Sequence, residues 1–129
     1  MQFHWHATKR AYRDLAAWQV SMTVVEETYG ASRRFPDDEC FGLASQVRRA
    51  SVSIPSNIAE GWSRRSIRAY ANHVSIALGS HAELETCFEI ARRLNYISEQ
   101  ELQELVTVLD RAGQLLSALF RALDSRSMR

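Results

Sequence analysis

The last third of the chain repeats apolar residues at alternating steps of three and four, and no other feature constrains the fold as strongly. Such spacing places one continuous apolar stripe on one face of an α-helix. Ser98 is followed three residues later by Glu101, a pair typical of a helix N-terminal capping box. The sequence therefore predicts a long amphipathic helix that opens near Ser98. Its stripe consists of Leu102, Leu105, Leu109, Ala112, Leu116, Leu119 and Leu123.

Three upstream segments show the same helical spacing. The first is predicted to begin at Asp14, the second near Pro36 and the third after a cap at Ser63 or Ser66. Glycine and proline are scarce, with five and two residues respectively, which favours long helices. The predicted stripes are Leu15, Trp18, Met22, Val25 and Tyr29 in the first helix; Phe41, Ala44, Val47, Ser51, Ile54, Ile58 and Trp62 in the second; and Ile67, Tyr70, Val74, Ala77, His81, Leu84, Phe88, Ala91 and Leu94 or Asn95 in the third.

These elements predict an all-α fold, an antiparallel up-down four-helix bundle, because short connections make sequential helices antiparallel neighbours. Pro55 lies inside the second helix, so we expect a kink there. Gly61 is expected to stop that helix, and Gly79 to mark a close approach of another helix. The predicted organisation is an N-terminal extension over residues 1–13, the bundle domain over 14–125 and a C-terminal tail over 126–129.

A second apolar seam runs along the fourth helix at seven-residue spacing, through Val106, Gly113 and Phe120. It is compatible with deeper burial inside one bundle or with contact to a neighbouring subunit.

No motif in the sequence points to catalysis. The sequence has no Glu-x-x-His pair, no phosphate-binding glycine loop and no nucleophile elbow. We therefore expect no enzymatic activity, no catalytic residue, no cofactor and no metal site, with only adventitious metal binding at His4 and His6. Cys40 and Cys87 are interpreted as reduced core thiols. The sequence shows no secretory leader and no apolar stretch of roughly 20 residues, which predicts a cytoplasmic protein without membrane association.

The net charge of +1 conceals a polarised distribution. Residues 40–82 contain five arginines and one acidic residue, whereas residues 83–110 contain two arginines and seven acidic residues. Arginine offers a planar fork suited to phosphate. The candidate nucleic-acid-binding residues are Arg64, Arg65 and Arg68, together with Arg48 and Arg49. The alternative for these arginines is structural ion pairing, such as Glu60 with Arg64 at i,i+4.

Three segments resemble a known family. They are DLAAWQVSM (Asp14–Met22), SQVRRASVSIPSNIAEG (Ser45–Gly61) and ALGSHAELET (Ala77–Thr86), and they are similar to characteristic segments of the bacterial 23S rRNA intervening-sequence proteins. The resemblance spans roughly residues 14–97, and the fourth helix fits by pattern only. It implies a four-helix bundle and a ring-shaped homopentamer. It also implies a relationship to the accessory variability determinant of diversity-generating retroelements, a basic pentamer that works with a reverse transcriptase and nucleic acid.

Two functions follow as expectations. The first is a non-catalytic, oligomeric nucleic-acid-associated or adaptor protein, whose partners are RNA or DNA and a protein such as a reverse transcriptase. A net charge of only +1 then predicts a local binding surface rather than binding over the whole molecule. The alternative is a structural protein–protein interaction scaffold without nucleic-acid binding, in which the oppositely charged segments pair between subunits. Salt-sensitive binding distinguishes the two.

Overall fold

The computed structural model describes residues 10–128, and this part of the chain is helical and contains no strand. Two single-turn 3-10 helices, Ala11–Asp14 and Asp37–Glu39, accompany the four α-helices. The prediction of an all-α, four-helix fold is confirmed over this range. The α-helices are α1 (Ala16–Ser32), α2 (Leu43–Ser63), α3 (Ile67–Arg93) and α4 (Glu99–Ser127). Residues 1–9, with His4 and His6, and Arg129 of the predicted tail lie outside the described residues.

The four helices surround one core. Within residues 10–128, α1 packs on α2 and α4, and α3 also packs on α2 and α4. The α4 stripe is confirmed as core from Leu102 to Leu123, and the α3 stripe from Tyr70 to Ala91. The two ends of the predicted α3 stripe are not core, since Ile67 is half-buried and Leu94 and Asn95, beyond the last turn of α3, are exposed. Trp62 and Tyr70 join α2 to α3 through an edge-to-face ring contact with centroids 6.2 Å apart. Buried apolar surface of this kind supplies most of the stability of a helical bundle.

The helix starts of α3 and α4 are fixed by serine side chains. Ser66 accepts a hydrogen bond from the Ala69 amide at 3.2 Å, so Ser66 rather than Ser63 is the cap. At α4, Ser98 accepts from the Glu101 amide and Glu101 accepts from the Ser98 amide, both at 3.1 Å. The predicted capping box is therefore confirmed.

The predicted starts of α1 and α2 are wrong by a few residues. Asp14 ends the first 3-10 helix, and α1 begins at Ala16. The segment from Pro36 opens the second 3-10 helix, and α2 begins only at Leu43 because Gly42 has a non-helical backbone, with φ −104° and ψ −116°. Two core predictions fail for the same reason, since residues before this break do not share the inward face of α2. These are Cys40, which is exposed, and Phe41, which is 98% exposed.

The apolar stripe predicted for α1 does not face the core. The core-facing side is shifted by one residue from the predicted stripe, and most of its side chains are small or polar. The large residues of the predicted stripe are half-buried at the edge of α1, and Met22 is exposed. The buried residues of α1 are Ala17, Ser21, Val24, Thr28, Ala31 and Ser32.

Two predicted roles for glycines are also wrong. α2 continues past Gly61 to Ser63, and Gly61 instead gives α3 room, since a Cβ there would lie 2.8 Å from the Cβ of His73. A Cβ on Gly79 would meet no atom within 4 Å, so no helix approaches it closely. A close approach of α3 to α4 occurs instead at Gly113, where a Cβ would lie 2.9 Å from the ring of His81. α2 runs through Pro55 without interruption.

Candidate nucleic-acid interface

The connection between α2 and α3 presents three arginines in a tight turn. Arg64 is the C-cap of α2, and Arg65 adopts the left-handed backbone with φ 54°. The Arg65 amide donates to the carbonyl of Trp62 at 3.2 Å, which closes the last turn of α2. Ser66 then caps α3, and Arg68 follows in its first turn. The backbone of this turn therefore places Arg64, Arg65 and Arg68 together at one end of α2 and α3.

The three arginines differ in their partners. Arg64 forms the i,i+4 ion pair with Glu60 at 3.3 Å, which was the alternative interpretation from the sequence. Arg65 and Arg68 are exposed, and their side chains form no ion pair or hydrogen bond within residues 10–128. An exposed ion pair such as that of Arg64 contributes little and is weakened by salt. Arg65 and Arg68 are accordingly the two guanidinium groups of this turn that are available to a ligand.

Arg48 has a structural role instead. Its Nε donates to the hydroxyl oxygen of Ser32 at 2.8 Å, and its guanidinium carbon lies 5.2 Å from the ring centroid of Tyr29. Both partners belong to α1, so Arg48 ties α2 to α1 through a hydrogen bond and a cation–π contact. These contacts favour the structural interpretation of Arg48 over phosphate binding.

Arg49 is exposed beside a polar groove between α2 and α3, which Gln46 and Glu83 also line. It lies about 22 Å along the α2 axis from Arg64, at 1.5 Å per residue. The structure therefore does not bring the two predicted arginine groups together. The groove carries both signs of charge, since Glu83 faces it and accepts a hydrogen bond from Gln46 at 3.3 Å.

A chain of polar side chains links α2 and α3 beneath the arginine turn. Asn57 donates to the carbonyl of Ser53 at 2.8 Å and accepts from Nδ1 of His73 at 2.9 Å. The hydroxyls of Ser53 and Ser80 lie 2.8 Å apart. Ser53 and Asn57 are thus used for contact between the helices, whereas the hydroxyl of Ser51 donates to the carbonyl of Arg48 within α2 at 2.8 Å. No sequence signal predicts the contact of His73 with Asn57, because spacing along the chain does not relate residues on different helices.

Acidic side chains gather elsewhere, on α1 and the first turns of α4. Burial, with the nearby carboxylates of Glu104 and Glu26, raises the pKa of Glu27. Hydrogen bonding to Ser98, assisted by Arg34, lowers the pKa of Glu101. Burial is the main cause of the raised pKa of Glu27, and repulsion from the neighbouring carboxylates adds to it. The gathered negative charge makes this face unfavourable for a phosphate backbone. The arginine turn is the better candidate for an anionic ligand.

Other kinds of site find no support in residues 10–128. No group of three histidine, cysteine, aspartate or glutamate residues in this range is arranged to hold a metal ion. Cys87 is buried, as expected, and burial raises the pKa of its thiol, which makes it a poor nucleophile. Among the helices of the described chain, none has the length and apolar character needed to cross a membrane.

A family model matches most of the chain. The family model described as 23S rRNA-intervening sequence protein matches residues 13–118. The match includes α1, α2 and α3 and most of α4, and thus both arginine groups. A search of curated proteins finds no match.

Proposed function

Because this chain belongs to the 23S rRNA-intervening sequence protein family, we propose that it is a non-catalytic, oligomeric nucleic-acid-associated or adaptor protein that binds phosphate backbones. The observation that carries the proposal is the exposed pair Arg65 and Arg68, held at one turn without protein partners within residues 10–128. The family's name refers to 23S rRNA, which makes structured RNA the first ligand to test. In this proposal the protein acts in the cytoplasm.

The proposed architecture is an antiparallel up-down bundle with a bend at Pro55. Contacts between α2 and α3 support it, because residue numbers fall along one helix as they rise along the other: Gln46 bonds to Glu83, and Asn57 bonds to His73. Contacts between α1 and α4 follow the same rule, since Arg34 near the end of α1 pairs with Glu101 at the start of α4. Pro55 removes one helical donor, which supports the bend.

In this architecture one end of the bundle is strongly basic. The start of α1, the end of α2, the start of α3 and the end of α4 meet there, and several further arginines join the α2–α3 turn. The amide groups of the first turn of α3 add partial positive charge. The opposite end holds the acidic start of α4. The additional basic residues are Arg10, Arg13, Arg121 and Arg126.

Oligomerisation explains how a chain of net charge +1 could bind nucleic acid usefully. Rotational symmetry repeats each arginine turn around the assembly, so a small patch per subunit becomes an extended basic surface. A homopentamer, the state implied by the sequence resemblance, would repeat Arg65 and Arg68 five times. A reverse transcriptase or another protein would be recruited through the remaining surface.

The test compares two charge-reversal variants by fluorescence anisotropy with labelled structured RNA and duplex DNA. The test variant is Arg65→Glu/Arg68→Glu, and the matched control is Arg33→Glu/Arg111→Glu, which changes two exposed arginines elsewhere by the same charge. We expect the test variant to lose at least tenfold in affinity at low salt and the control to bind like wild type. Wild-type affinity should fall steeply with salt, because phosphate contacts release counterions.

Two outcomes would overturn the proposal. Equal losses in both variants would mean that only net charge matters and that the α2–α3 turn is no site. The absence of wild-type binding at low salt would leave the structural interaction scaffold, an alternative favoured by the exposed apolar side chains of Ile76, Ile90 and Leu94. Size-exclusion chromatography with light scattering must show the same mass for all three proteins.

A further inference from the structure

An apolar groove runs along the surface between α1 and α2. Its cavity of about 350 Å³ is lined mainly by apolar side chains, with Trp18 and Met22 on one wall and Val52 and Pro55 on the other. Met22 is 37% exposed and Val52 is 41% exposed. Exposed apolar surface that forms a groove often marks an interaction site, whereas isolated exposed residues do not.

The composition of α1 explains why the groove is apolar and open within residues 10–128. The side of α1 that packs in the core consists of small residues such as Ala17 and Ser21. Its large apolar residues are placed beside the core, where α2 covers them only in part. A helix usually directs its largest apolar residues inward, because burying a large side chain contributes about 1.5–3 kcal/mol. Within residues 10–128 the large residues of the predicted α1 stripe therefore stay half-buried or exposed.

Arginines flank the groove. The guanidinium of Arg13 lies 5.4 Å from the ring centroid of Trp18, near the start of α1. The guanidinium of Arg48 lies 5.2 Å from the ring centroid of Tyr29, and within residues 10–128 only its Nε is bonded, to the hydroxyl of Ser32, so its two terminal amino groups remain as donors. Trp18 and Tyr29 are about 16 Å apart along the helix axis, at 1.5 Å per residue. An occupant should therefore combine an apolar anchor with acidic side chains.

The chain itself carries such an occupant at the segment 37–41, before α2. Phe41 is 98% exposed, the most exposed large apolar side chain in residues 10–128. Asp37 and Asp38 are exposed a few residues earlier. Glu39 is already engaged, since it accepts from the hydroxyl of Tyr96 at 2.9 Å. The segment thus offers one aromatic ring and two available carboxylates.

We propose that Phe41 of one copy inserts into the α1–α2 groove of a second copy, with Asp37 and Asp38 facing the flanking arginines. A cavity of about 150 Å³ holds benzene, so a groove of 350 Å³ has room for the ring. Aromatic anchors in pockets dominate the binding energy of many interfaces. This inference rests on the oligomeric part of the proposed function and supplies its contact surfaces.

The contact joins two different surfaces, so it is heterologous. Each copy offers its own Phe41 to one neighbour and its own groove to another. Repetition of such a contact closes into a ring when the rotation allows and otherwise gives an open chain. The opposite charges of the two surfaces also set the direction in which copies add.

The experiment measures mass by light scattering and native mass spectrometry without nucleic acid. The anchor variant is Phe41→Ser, and the groove variant is Val52→Glu. Their matched controls are Leu94→Ser and Ile76→Glu, at side chains 51% and 46% exposed on α3. We expect wild type and both controls to share one oligomeric mass, and the anchor and groove variants to be monomers. Circular dichroism should show unchanged helix content, because every substituted side chain is exposed.

Mixing the two monomeric variants provides the sharpest readout. The groove of the Phe41→Ser copy is intact, and so is the anchor of the Val52→Glu copy, so one productive contact remains. We expect the mixture to form a 1:1 dimer and nothing larger. In that dimer the Phe41→Ser copy has no anchor and the Val52→Glu copy has no intact groove, so neither can bind a third copy.

The proposal is overturned if the Phe41→Ser variant keeps the wild-type mass, or if the mixture remains monomeric while each variant alone is folded. A monomeric wild type would also overturn it, and would remove the oligomer from the proposed function. Because the measurement contains no RNA or DNA, failure of nucleic-acid binding leaves the masses unchanged. Failure of the proposed contact between copies can therefore be distinguished from failure of the proposed nucleic-acid binding.

Discussion

Gly113 and Gly79 both lie in the interior of long helices, but only one of them has a neighbour that requires glycine. At Gly113 a Cβ would lie 2.9 Å from Cε1 of His81 and 3.0 Å from its Nε2. That ring is buried, and its Nε2 donates to the carbonyl of Leu109 at 2.6 Å, so it cannot move without losing the bond. Glycine therefore allows the imidazole of α3 to reach the backbone of α4.

The substitution Gly113→Ala should destabilise the protein by about 1–2 kcal/mol, because the cost of overpacking exceeds the gain of roughly 1 kcal/mol in helix propensity. The matched change Gly79→Ala meets no atom within 4 Å and should stabilise the protein by up to about 1 kcal/mol. Urea unfolding followed by circular dichroism measures both. Opposite signs support the structural role of the His81 contact, and two stabilised variants would contradict it.

At the scale of the element, the start of α4 depends on one carboxylate. Glu101 accepts from the Ser98 amide and pairs with Arg34, and its pKa lies below the ordinary value of 4.5. A carboxyl group with a lowered pKa in the folded state stabilises the protein above its unfolded pKa. That contribution is lost as the pH falls through the pKa of the folded state.

Glu101→Gln should therefore cost up to about 1 kcal/mol at pH 7, a size typical of exposed charge interactions. The difference from wild type should shrink as the pH falls through the lowered pKa that Glu101 has in the folded state. Glu104→Gln, in the next turn of α4, is the control: removing a charge that repels Glu27 should not lower stability at pH 7. Thermal unfolding between pH 3 and 7 measures both, and a pH-independent loss for Glu101→Gln would contradict the assignment.

The sequence predicted the helices better than the way they pack. The α4 stripe was correct because one periodic set of leucines has only one reasonable orientation. For α1 the large apolar residues suggested a core stripe through Trp18 and Met22, but the core accepts small residues such as Ala17. Periodicity finds the apolar faces of a helix and does not say which of two adjacent faces has a neighbour inside the same chain.

At the scale of the whole molecule, the charge distribution along the sequence indicated which arginines could form a site, but it did not identify the residues that each arginine contacts. In the sequence, Arg48 and Arg65 both belong to exposed-looking arginine pairs. Only the fold shows that Arg48 contacts Tyr29 and Ser32. The i,i+4 pair of Arg64 was foreseeable because both members lie on one helix. The candidate site is thus reduced to fewer residues than the sequence suggested, which makes repetition by symmetry more important for binding.

Assembly should therefore control nucleic-acid binding. The logarithm of the binding constant falls with the logarithm of salt concentration by about 0.9 for each phosphate neutralised on duplex DNA. An assembly engages several arginine turns on one duplex, whereas a monomer engages one. The Phe41→Ser variant, which we expect to be a monomer, should accordingly show a salt slope several-fold smaller than wild type and bind at least tenfold more weakly at low salt, although Arg65 and Arg68 are unchanged. Leu94→Ser, which keeps the assembly, should match wild type. Equal slopes for the monomer and the assembly would mean that one subunit makes all the phosphate contacts.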